Sequence, residues 1–191
     1  MKPHAAFERL PIAGLAVKGS CPVCGAVKYF QESLPGNLPA KGQMRLCNFH
    51  TWLLAKLAPA EVATSLFLNA LRAKGWDATS SSPRSCVACG KIHQEEAARV
   101  KEVTKELETY SPTGMWLQQH ARFCLRHMHE VKQQVPASLQ KVVEELGTRN
   151  IVELEAELEE FLQQARHGNH AGGGVLGRAA EFLVAQRGIL D

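Results

Sequence analysis

The spacing of the cysteines and histidines constrains this chain more than any other feature, because all six cysteines fall in short-spaced pairs of ligand-type residues. Cys21-Pro22-Val23-Cys24-Gly25 is followed by Cys47-Asn48-Phe49-His50 and then Pro59. Cys86-Val87-Ala88-Cys89-Gly90 is followed by Cys124-Leu125-Arg126-His127 and then Pro136. Both opening pairs are C-x-x-C-G, both closing pairs are C-x-x-H, and histidine and proline stand nine positions apart in each copy. Arg45-Leu46-Cys47 also matches Arg122-Phe123-Cys124, and an amphipathic stretch follows each proline, Ala60 to Lys74 and Ala137 to Leu146. Only the insert between the pairs differs clearly in length, as a surface excursion tolerates. Self-similarity at matched intervals is the mark of a duplicated unit. It divides the chain into an N-terminal segment 1–20, a first repeat 21–78, a second repeat 79–147 and a C-terminal helical segment 148–191, expected to form one compact unit.

Clustered thiols in a reducing compartment point to metal more than to disulfides. A tetrahedral ion needs four donors converging on one point, and a C-x-x-C turn folded back as a knuckle supplies two of them. A C-x-x-H pair on a helix supplies two more, since residues three apart share a face. Each repeat then offers a Cys3His set, with thiolates deprotonated by the metal itself. The expected first site is Cys21, Cys24, Cys47 and His50; the second is Cys86, Cys89, Cys124 and His127. Gly25 and Gly90 suit a tight turn after each knuckle. Ligand softness and the closed donor set favour two structural zinc ions, with an iron–sulfur cluster on the same ligands as the alternative. Covalent haem is disfavoured, because glycine stands where C-x-x-C-H requires histidine. A thioredoxin-like redox pair lacks its βαβ context.

The remaining candidates are weaker. His120, four before Cys124, is a possible substitute for His127. His129 and His93 are read as surface residues, and His167 and His170 in "RHGNHAGGG" as linker residues. "GGGVLGR", Gly172 to Arg178, lacks the Gly-Lys-Ser/Thr ending of a phosphate-binding loop. Trp52, Trp76 and Trp116, with Phe49 and Phe67, are expected to pack between helices, and the glutamates of "VELEAELEEF" to form a solvated face. No catalytic constellation stands out.

The pattern elsewhere predicts a mainly α protein. Ile92, Ala97, Val100, Val103 and Leu107 recur at helical spacing in a helix over 91–110, which Ser111-Pro112-Thr113-Gly114 ends. A second helix over 115–134 carries Cys124 and His127. Asn150 with Glu153 reads as a capping box for a helix over 151–165, with an apolar stripe of Ile151, Leu154, Leu158, Phe161 and Leu162. A short helix over 178–187 ends the chain, and 10–17 is the one extended candidate.

Bulk properties add exclusions. The chain has 191 residues, 45% of them hydrophobic, and a formal charge of +3. That is enough for one modest core or two small ones, and the charge neither demands nor forbids a nucleic-acid partner. The longest apolar segment, Trp52 to Leu71, is interrupted by Lys56, Pro59, Glu61 and Asn69. The N-terminus lacks the apolar core of a signal peptide. A cytoplasmic location without a membrane span is expected.

Taken together, the two C-x-x-C and C-x-x-H copies, the helical "ELEEFL" and the terminal "RAAEFLVAQRG" resemble a family of bacterial proteins of unknown function with paired motifs of this kind. The resemblance runs from Cys21 to Gly188. It implies metal binding through the same eight residues and carries over no catalytic residue. Family members tend to have a tryptophan before the last helix, where this chain has Gly172-Gly173-Gly174-Val175. The expected function is a non-enzymatic, metal-stapled helical module that binds a protein partner. An iron–sulfur redox protein is one alternative, and a nucleic-acid-binding zinc protein, using Lys28, Lys41, Arg45, Arg122 and Arg126, is another.

Overall fold

The computed structural model of the protein describes residues 11–12, 20–37, 46–72, 86–167 and 174–184. Its helices are α1 (Pro22–Asn37), α2 (Asn48–Leu57), α3 (Ala60–Arg72), α4 (Val87–Glu108), α5 (Pro112–His120), α6 (Leu125–Gln134), α7 (Ala137–Arg166) and α8 (Gly174–Val184). No strand occurs among the described residues, in keeping with the mainly α expectation. Most of 10–17, together with Lys41, Arg45, Trp76 and His170, lies outside the described residues. None of the described helices is long and apolar enough to cross a membrane.

Helix α8 begins at Gly174, four residues before the expected 178, and three other boundaries differ from those the periodicity suggests. The stretch 115–134 is two helices, because Ala121 to Cys124 leave the helical conformation (Ala121 φ −70°, ψ 137°; Cys124 φ −65°, ψ 158°). Ala121, Phe123 and Cys124 are fully buried there, so burying this extended segment outweighs the propensity to continue the helix. Asn150 does not start a helix: α7 runs through it without interruption. The buried Asn150 side chain instead donates from Nδ2 to the Ala121 carbonyl at 3.3 Å, satisfying a group at the break between α5 and α6. The third is α4, which begins earlier than expected and includes Cys89.

The chain forms two compact units, whose boundaries fall within α1 and α4 and do not follow the consecutive repeats. Among the described residues, one comprises 27–37, 46–72 and 86–96, and the other 11–12, 20–26, 97–167 and 174–184. In the first unit Phe30 and Leu34 of α1 bury against Cys47, Leu54, Cys86 and Ala88, with Phe49, Val62 and Phe67 partly covered around them. Trp52, expected inside, is 71% exposed on the outer face of α2.

In the second unit α7 packs against α5, α6 and α8. Leu154, Val175, Ala179 and Phe182 close the α7–α8 contact, with Leu158 and Phe161 partly covered beside them. Ile151 and Leu162, assigned to the same stripe by period, are exposed. A charged group lies deep in this unit: Arg99 is fully buried, and its Nη1 donates to Glu102 Oε2 at 2.9 Å. The other oxygen of Glu102 accepts the backbone N–H of Ile12 at 2.8 Å.

Two glycines make opposite demands. A β-carbon on Gly114 would lie 2.0 Å from the Glu106 carbonyl oxygen, whereas one on Gly90 would meet nothing within 4 Å. The tight-turn role expected of Gly90 is therefore not needed, because it sits in the first turns of α4. Gly114→Ala is expected to cost about 1–3 kcal/mol, and Gly90→Ala to gain up to about 1 kcal/mol. Urea denaturation of both variants beside wild type checks the contrast.

Candidate metal centres

All eight expected ligands converge in two groups, but the groups exchange halves relative to the repeats. Cys21 and Cys24 meet Cys124 and His127, while Cys47 and His50 meet Cys86 and Cys89. Each set therefore takes its C-x-x-C from one repeat and its C-x-x-H from the other. The second group is nested in sequence within the first, and each group lies wholly inside one compact unit. Tandem pairing within each repeat is thus incorrect. In the first unit the α2 start is carried to the α4 start by a common core, since Cys47 and Cys86 are themselves part of that core.

The local geometry repeats four times. In every motif the first cysteine stands just before the first helical residue, and the second ligand is the third residue of the helix. The carbonyls of Cys21, Cys47, Cys86 and Cys124 each accept the N–H four residues on, from Gly25 (2.9 Å), Thr51 (3.0 Å), Gly90 (3.1 Å) and Met128 (2.8 Å). These positions are those of a capping box, where the side chains before and within the first turn face one another. A C-x-x-C placed this way needs no separate knuckle, because the helix start is the knuckle. The sulfurs also lie at the positive end of the helix dipole, which favours thiolates. Cys124 Sγ in addition accepts the backbone N–H of His127.

Both histidines present Nδ1 to the sulfurs. His127 Nδ1 lies 3.4 Å from Cys21 Sγ, 3.4 Å from Cys24 Sγ and 3.1 Å from Cys124 Sγ. His50 Nδ1 lies 3.2 Å from Cys47 Sγ, 3.5 Å from Cys86 Sγ and 3.4 Å from Cys89 Sγ. Sulfur pairs stand 3.8 Å apart, Cys24 to Cys124 in one group and Cys47 to Cys89 in the other. All four donor atoms of each group lie within 4.8 Å of one another, and seven of the eight residues are buried, Cys89 being half-buried. Both groups could hold a metal ion.

Their ionisation supports that use. The thiols cannot all become thiolates together: hydrogen bonds from its neighbours lower Cys124, while the bond to Cys124, a further one to Cys21 and burial raise Cys24. In the other group burial raises Cys89 to about 12, helped by Cys86 and Cys47. Burial opposes ionisation of Cys86 too, but its hydrogen bonds to His50 and to the backbone bring it to about 6. A divalent cation at the centre would remove the conflict by stabilising every thiolate at once.

The other histidines stand apart. His120 is exposed and lies against Trp116 with ring centroids 5.5 Å apart, so it does not replace His127. His129 is exposed beside Gln133, and His93 contacts Glu96 on the surface. The glutamates of α7 are not uniformly solvated. Arg122, two residues before Cys124, donates to Glu153 and Glu157 at 2.9 Å each, and Arg178 of α8 donates to Glu157 at 2.7 and 3.2 Å. This network was missed in the sequence reading; Glu153 and Glu157 are one helical turn apart, the spacing that would have suggested a shared basic partner. Hydrogen bonds from Arg122 and Arg178 hold the Glu157 carboxyl below the usual carboxylate range.

No protein-family model, curated protein or solved structure matches the chain.

Two expectations follow. Under the observed grouping, Cys21→Ser with Cys124→Ser removes two ligands from one site, so the double variant keeps one metal ion, as does each single variant. Under tandem grouping the same double variant loses both, and metal analysis separates the two cases. For the ion-pair network, a carboxyl lowered by folding adds stability above its unfolded pKa and loses it as pH falls through the folded value. Glu157→Gln should therefore cost about 1 kcal/mol near neutrality, and the difference from wild type should begin to shrink as pH falls below about 4 and vanish only once pH is below the lowered folded-state value. Urea midpoints across that range test it.

Proposed function

We propose that this protein is a non-enzymatic zinc-binding helical module in which two closed Cys3His sites are structural, and that it acts by binding a protein partner. The spacing of the donors carries the zinc reading. With Zn–S of about 2.3 Å and Zn–N of about 2.0 Å, a tetrahedron places sulfurs about 3.8 Å apart and sulfur about 3.5 Å from nitrogen. The separations of 3.8 Å between sulfurs and 3.1–3.5 Å from sulfur to Nδ1 match one ion per group. A polynuclear iron–sulfur cluster spreads its ligands over several irons with sulfide between them, which needs wider spacing than 4.8 Å for all four donors. Four protein donors also leave no position for water or substrate, which favours a structural over a catalytic ion.

Residues 21, 24, 124 and 127 would hold one zinc ion, and residues 47, 50, 86 and 89 the other. When bound, zinc supplies four-fold crosslinking and charge neutralisation. The two repeats 21–78 and 79–147 would then record a duplication whose halves have exchanged partners. A protein partner is favoured over nucleic acid because Arg122 and Arg126 already bind Glu153, Glu157 and Glu130. Exposed Trp52, Leu176 and Leu183 offer apolar contact instead.

Protein purified without air should be colourless, with two zinc ions per chain and no iron. Brown protein with iron and labile sulfide would establish the redox alternative and overturn this reading. Chelation should unfold Val27–Glu96 more completely than Ala97–Leu190, because two cysteine ligands are part of the small core of the former while the latter retains its α7-centred packing. Amide hydrogen exchange with and without chelator reads the difference by segment.

A further inference from the structure

The two metal groups have the same donors but differ in how well they are protected. Cys21, Cys24, Cys124 and His127 are all buried, with Cys124 fully enclosed. In the other group Cys89 is only half-buried, the least enclosed of the eight residues. His50 differs too. Its Nδ1 faces the sulfurs, and its Nε2 is buried with no hydrogen-bond partner among the described residues. A small cavity beside His50 is lined by Leu34, Pro35, Leu53, Leu54 and Ala88, with Gln31 as its other polar side chain. A ligating imidazole ordinarily donates its second N–H to a carboxylate, carbonyl or water, and loss of that partner typically weakens metal binding by about 10–100-fold. One half-buried cysteine and one unsupported imidazole thus coincide in a single site.

We propose that the Cys47–His50–Cys86–Cys89 site is an oxidation-sensitive, releasable zinc site, with Cys89 the sulfur that reacts first with hydrogen peroxide, while the Cys21–Cys24–Cys124–His127 site keeps its ion. The proposal rests on the zinc reading above. The Cys89 thiolate attacks one peroxide oxygen, the O–O bond breaks, and sulfenic acid and hydroxide form. The Cys47 thiolate, 3.8 Å from Cys89 Sγ, then attacks that sulfur and expels a second hydroxide as the disulfide closes. Two thiolates give up two electrons in all, and one peroxide becomes two hydroxides. Only Cys86 and His50 remain as donors, and the ion is released. A thiol reductant reverses the disulfide and restores the site.

The test uses full-length zinc-loaded protein titrated with hydrogen peroxide. A chromogenic chelator follows release, and peptide mass mapping follows the cysteines. The expected result is release of one ion of the two in a first phase, a disulfide joining Cys89 to Cys47, and Cys21, Cys24 and Cys124 still reduced. Release of both ions in one phase, or earlier oxidation of Cys21, Cys24 or Cys124, overturns the proposal while leaving the zinc reading intact. Protein that contains no zinc before peroxide is added overturns both. A Cys89→His variant keeps a donor that cannot form the disulfide, and should slow the first phase at least tenfold. The wild-type order of oxidation decides the matter even where that variant does not load.

Discussion

The structure depends on pairs of helix N-termini brought face to face. Each of the four ligand motifs occupies the same place, one side chain before the first helical residue and one on its third residue. That placement lets a single turn of backbone present two donors on one side, and it puts sulfur where the helix dipole favours negative charge. Two such helix starts supply four donors within 4.8 Å. An ion held there joins segments that are far apart in sequence, Cys24 and Cys124 in one unit and Cys47 and Cys89 in the other. For the unit built on Val27–Glu96, the joint and the core are nearly the same thing, since Cys47 and Cys86 pack with Phe30, Leu34 and Leu54.

The other unit spreads its stability more widely. The uninterrupted α7 is the element against which α5, α6 and α8 pack, and the extended Ala121–Cys124 segment runs beside it. Asn150 in the middle of α7 secures the carbonyl that the break exposes, and Arg122 within the same segment reaches Glu153 and Glu157. Glu157 in turn holds Arg178 of α8. The segment that carries Cys124 is therefore fixed by polar contacts along two turns of one helix. The same contacts connect α8 to the residues that precede the ligand.

The helical class and all eight residues of the two Cys/His groups were legible in the sequence, because cysteine, histidine and their spacing are strictly local features. The pairing of the motifs was not. Joining each C-x-x-C to either C-x-x-H gives the same Cys3His composition, so composition and spacing cannot distinguish the two. The choice is made by packing of Leu34, Leu54 and Ala88, which no local pattern displays. Asn150 was misread for a similar reason: a capping residue followed by Glu153 looks like a helix start, yet its side chain serves a carbonyl 29 residues earlier. The extended Ala121–Cys124 break likewise has no glycine or proline to announce it. Trp52 shows the converse, an aromatic residue of helical period left on the surface.

In the proposed arrangement each C-x-x-C pair and the C-x-x-H pair it meets surround one ion. Loading the protein with cadmium-113 and recording cadmium–proton correlations to the cysteine β-protons tests this grouping most directly. One cadmium should correlate with Cys21, Cys24 and Cys124, and the other with Cys47, Cys86 and Cys89. A cadmium that correlates with Cys21, Cys24 and Cys47 together would contradict the account.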